Sequence, residues 1–61
     1  MTDTEILQAI VHHRLMVDVE DGETTVAGLT GVAVTVVHDG DELEATREAV
    51  MLFTARLETR Q

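Results

Sequence analysis

Three histidines and a run of carboxylates are the side chains in this sequence best suited to chemistry. His12 and His13 are adjacent, so on a helix they point about 100° apart and cannot chelate one ion from one face. A metal site would need one of them to meet His38 together with a carboxylate such as Asp39 or Asp41. Asp39, Asp41, Glu42 and Glu44 resemble a calcium loop only superficially. An EF-hand places glycine sixth and glutamate twelfth, whereas Gly40 is second here and the segment runs into a helix. A turn followed by a helix cap accounts for all four acids, so neither metal nor cofactor is expected. The chain holds no Ser, Cys or Lys. A nucleophile would have to be Thr or a carboxylate, and Walker-type phosphate cradles, Schiff bases and disulfides are excluded. A non-catalytic protein with no catalytic residues is the expectation. Met16, Met51 and Phe53 read as core or interface packing.

The elements that must position these groups follow from the spacing. Thr2 and Glu5 form a capping box, with Asp3 as competing cap, for a helix over residues 2–13. Ile6, Leu7, Ile10 and Val11 fall on one arc of it. Residues 15–20 alternate as a half-buried strand with Leu15, Val17 and Val19 on one face. Asp21-Gly22 turns the chain into a second strand over 24–29, and Gly28 and Gly31 bracket another turn. Val32 to Val37 is apolar on both faces except at Thr35, the pattern of a strand covered on both sides. Asp41 and Glu44 then open a long helix, with Leu43, Thr46, Val50, Phe53 and Leu57 on one stripe and Ala45, Ala49 and Leu52 on a second. The sequence therefore predicts one α+β domain over residues 1–61. It is a small two-layer sandwich of order α-β-β-β-α, with a three-stranded antiparallel sheet packed by the long C-terminal helix.

Composition bounds the function. The 61 residues carry 12 Asp+Glu against 4 Lys+Arg, a formal charge of −8. No apolar run approaches the ~20 residues of a membrane span, no basic footprint for nucleic acid is present, and a cytoplasmic location is expected. Leu, Ile, Val and Phe make up 18 of the 61 residues, above the roughly 20% below which folding fails. A chain this short buries only about 60% of its extended surface, so a homo-oligomer, dimer or higher, is expected. Val32, Val34, Val37, Leu52 and Phe53 are the residues expected to serve self-association or core closure. The acidity reads as adaptation to a salt-rich cytoplasm or as a surface for a basic protein partner, met by Asp18, Glu20, Asp21 and Glu23 on the first hairpin. Two alternatives stand beside this reading. One is an inhibitor whose carboxylates mimic nucleic acid towards a DNA- or RNA-binding protein. The other is an oligomer that binds a small ligand between subunits.

Residues 15–57 carry a resemblance. The run from Leu15 to Val32, LMVDVEDGETTVAGLTGV, and that from His38 to Phe53, HDGDELEATREAVMLF, are similar to the N-terminal domain of HicB-type antitoxins. Leu29-Thr30-Gly31-Val32 matches that family's L-P-G-C-like corner, and Gly40-Asp41 with Glu48-Ala49 matches the start of its helix. Thr30 stands where the family carries proline and Val32 where it carries cysteine, and an additional helix precedes the first strand. The resemblance implies a β-β-β-α fold with a partial RNase H-like sheet, and a role in masking a small basic RNA-cleaving toxin by protein–protein contact.

Overall fold

A computed structural model describes residues 2–59. The chain runs α1 (Asp3–His13), β1 (Met16–Glu20), β2 (Glu23–Ala27), β3 (Ala33–Val37) and α2 (Glu42–Thr59), the α-β-β-β-α order that the spacing predicts. The three strands form one antiparallel sheet in the order β1-β2-β3. Both turns use glycine at positive φ, Gly22 at 85° and Gly31 at 88°, where a Cβ would be strained.

Both ends of α1 are closed by the chain itself. Thr2 accepts a hydrogen bond from the Glu5 amide, and the Glu5 carboxylate accepts one from the Thr2 amide, completing the capping box. At the other end Arg14 takes the left-handed conformation, φ 53° and ψ 53°. The Leu15 amide reaches back to the Ile10 carbonyl, and Leu15 is buried, as in a Schellman stop. Asp41 caps α2 through the Glu44 amide at 3.0 Å. The Glu44 carboxylate turns to Arg47 at 3.2 Å instead of closing a box.

Register assigns the faces of the sheet. Val17, Val26 and Val34 lie side by side, as do Val19, Thr24 and Val36, and these point towards the helices. The opposite face carries Met16, Ala27 and Ala33, then Asp18, Thr25 and Thr35, then Glu20, Glu23 and Val37. The core is Ile6, Ala9, Leu15, Val26, Val34, Ala49, Val50 and Phe53.

Three expectations shift. Helix α2 lies across β2 and β3 and barely reaches β1, while α1 packs against α2. Val17 and Val19 are consequently 37% and 43% exposed despite facing inward. The arc on α1 divides: Ile6 is buried with Ala9, Ile10 partly so, and Leu7 and Val11 face solvent at 63% and 75%. On β3 Val34 and Val36 take the inner side, and Val32 just before the strand packs against the core. Ala33, Thr35 and Val37 on the outer side are exposed, so the strand is covered on one side only. There Thr25 and Thr35 hydrogen-bond each other at 2.9 Å. A neutral Thr pair of this kind is content in water.

Candidate interaction surfaces

The acidic hairpin is built by register. Glu20 lies directly opposite Glu23, and Asp18 shares their face two residues before, since successive side chains alternate. Asp21 occupies the turn between them. All four acids are exposed. Arg47, the cation in both ion pairs present among the described residues, reaches Asp3 at 3.1 Å and Glu44 at 3.2 Å, not the hairpin. A like-charge pair directly across two strands costs stability, so this end of the sheet holds a concentration of negative charge against its own folding.

The histidines are placed apart. The His12 and His13 rings meet edge to face at 4.8 Å, and His13 lies 6.5 Å from the Phe53 ring. His38 stands beside Thr24, its Nε2 3.4 Å from the Thr24 hydroxyl, with Nδ1 buried and without a hydrogen-bond partner among the described residues. Among the described residues no three His, Asp or Glu side chains converge in a way that could hold a metal ion.

The five apolar residues expected to serve self-association or core closure do not form one surface. Phe53 and Val34 are buried in the protomer's own core, and Val32 packs against it, so these three close the core. Val37 projects from the outer sheet face at 80% exposure, and Leu52 lies in the helical layer at 47%.

A different apolar surface emerges on α1. Leu7 and Val11, with Thr4, Gln8 and His12, line one depression. Leu7 also borders a groove of about 240 Å³ between the helices, shared with Ile6, Ile10, Leu43, Thr46, Asp3 and Arg47. Leu43 at its rim is 79% exposed, although it opens the stripe that continues to the buried Val50 and Phe53. The first turn of α2 precedes the point where the helix settles on the sheet, and position in a periodic stripe does not reveal that. The signal in the sequence was the width of the apolar arc on α1: four large residues exceed what a helix with one helical neighbour can bury.

Among the described residues no helix is long and apolar enough to cross a membrane. Searches of protein-family models, curated proteins and solved structures return no match to this chain.

Proposed function

We propose that this protein is a non-catalytic interaction module that self-associates and presents an acidic surface to a basic protein partner. The observation that supports it is the distribution of large apolar side chains. Ten are exposed among the described residues, while the buried apolar set of nine includes three alanines. A single exposed leucine is ordinary on a protein surface, but a chain that exposes more large apolar side chains than it buries gains by covering them. Light scattering at low and high salt tests the reading. The expected result is a mass that is a multiple of 6.7 kDa and depends on concentration. A 6.7 kDa species at every concentration and ionic strength would overturn it.

The acidic hairpin supports the second half of the proposal. Asp18, Glu20, Asp21 and Glu23 form the surface that a small basic protein would meet, the antitoxin-like role that the resemblance implies. Electrostatic complementarity of this type raises association rate and specificity more than affinity. Immobilised chain should retain a small basic protein from host lysate and release it on raising the salt. Retention of a nucleic-acid-binding enzyme would favour the phosphate-mimic alternative, and equal retention by a variant with all four acids made amides would remove the hairpin from the reading.

A further inference from the structure

The α1 surface identifies its own occupant. We propose that two copies of this chain pair through antiparallel α1 helices about a two-fold axis near Gln8. The proposal rests on the self-association inferred above and specifies its surface.

Charge selects both partner and orientation. Two chains of −8 each can meet only where carboxylates do not oppose one another. The depression on α1 is lined by Thr4, Leu7, Gln8, Val11 and His12, none of them acidic. The helix is also polarised, with Asp3 and Glu5 in its first turn and His12 and His13 in its last, followed by Arg14. Antiparallel pairing brings the acidic end of each copy to the basic end of the other, and opposes the two helix dipoles favourably. An axis level with Ala9 sets Leu7 against Val11 of the second copy, and Arg14 level with Thr4, between Asp3 and Glu5. A contact of this kind is isologous, so it closes at two subunits.

Arg14 supplies an independent observation. It is the one non-glycine residue at positive φ among the described residues, a conformation that costs a residue with a Cβ about 1–2 kcal/mol. Glycine is the usual occupant of this helix stop. The guanidinium makes no ion pair or hydrogen bond within the described residues, in a chain where acids outnumber basic residues 12 to 4. A cation held in a strained position with no partner among the described residues fits a partner on the second copy.

The interface is small. An 11-residue helix is about 16 Å long, too short to bury by itself the ~800 Å² per partner of a standard interface. Leu43 across the groove widens the face, which still leaves the dimer in the small-interface class, with dissociation on dilution through the micromolar range.

The absence of cysteine allows a direct test. Gln8→Cys, oxidised, is expected to cross-link into a covalent dimer, while Thr25→Cys on the outer sheet face is not. By light scattering, the Leu7→Glu/Val11→Glu double variant should report 6.7 kDa with unchanged circular dichroism, and Val37→Glu and Leu52→Glu should keep the dimer mass. Arg14→Gly should shift the dimer midpoint to several-fold higher concentration while the monomer remains folded. If the double variant loses its fold, the Gln8→Cys cross-link decides alone, because Leu7 and Val11 are intact in it. A dimer that survives the double variant, or that cross-links through Thr25→Cys and not Gln8→Cys, overturns the α1 contact and leaves self-association standing. Wild-type chain that stays monomeric at every concentration overturns both.

Discussion

At the scale of single residues, two contacts set limits that no spacing in the sequence reveals. A Cβ at Gly28 would stand 2.5 Å from Cζ and 3.2 Å from Cε2 of Phe53, so this glycine is required by close approach rather than by a positive φ. Phe53 is 1% exposed and part of the core cluster, so moving its ring disturbs that packing. Gly28→Ala is therefore expected to lower stability by about 1–3 kcal/mol, the range for overpacking, seen as an earlier urea midpoint. An unchanged midpoint would mean that the ring swings aside freely. The second contact is Thr24 with His38. Thr24 is fully buried and its hydroxyl is the partner of a ring whose other nitrogen has none among the described residues. Thr24→Val should cost about 1–3 kcal/mol by leaving the imidazole without a hydrogen bond. Adding His38→Leu should recover most of that loss, since removing both partners spares the desolvation of either. Denaturation of the two variants side by side measures the difference. Sequence reading placed Thr24 on a strand and His38 after one, but only register sets them side by side.

At the scale of elements, the ends were legible and the packing was not. Thr2, Glu5, Asp21-Gly22 and Asp41 act through neighbours one to three residues away, so their roles are written locally. Leu43 and the division of the α1 arc depend on where one element lies on another, which hydrophobic periodicity leaves open. The α1 cap carries a pH dependence. The backbone amide and side chain of Thr2 hold the Glu5 carboxyl below the usual carboxylate range. A depressed folded pKa stabilises above the unfolded value, near 4.3 for Glu, and that contribution is lost as pH falls through the lowered folded value. An NMR titration should show the Glu5 carboxyl protonating below the usual carboxylate range, with the first turn of α1 fraying in step. The hairpin gives the opposite case, an element carrying a charge conflict. Glu20 opposes Glu23, and Glu23→Lys is expected to stabilise the free chain by about 0.2–1 kcal/mol through a cross-strand pair. The same change should weaken capture of a basic partner. A variant that gains stability and binds the partner equally well would show that the acidic face is not the contact.

At the scale of the whole molecule, the balance between charge and apolar surface decides assembly. An apolar surplus was legible in the count of valines and leucines, but its address was not. The inner side of β3 took its valines and left Leu7, Val11 and Leu43 exposed. Pairing through that face must overcome repulsion between two −8 chains. With centres about 20 Å apart, twice the 10.8 Å radius of gyration, two such charges repel by about 13 kcal/mol in unscreened water. A Debye length of about 10 Å, at 0.1 M salt, cuts this to roughly 2 kcal/mol, and at 1 M it is negligible. Ion pairs at the rim, Arg14 with Asp3 and Glu5 of the second copy, contribute at most about 1 kcal/mol each and are screened as well. Repulsion is therefore the larger salt-dependent quantity, and the apolar contact is not weakened by salt. Dimerisation is expected to strengthen steeply between about 0.01 and 0.3 M salt and then level off, where screening has little left to remove. Arg14→Gly should lose most relative to wild type at the low end of that range, where an ion pair counts for most. Light scattering at one fixed concentration across the salt series reads both curves. A dimer fraction that falls steadily with salt would mean that charge, not the leucine and valine face of α1, holds the copies together.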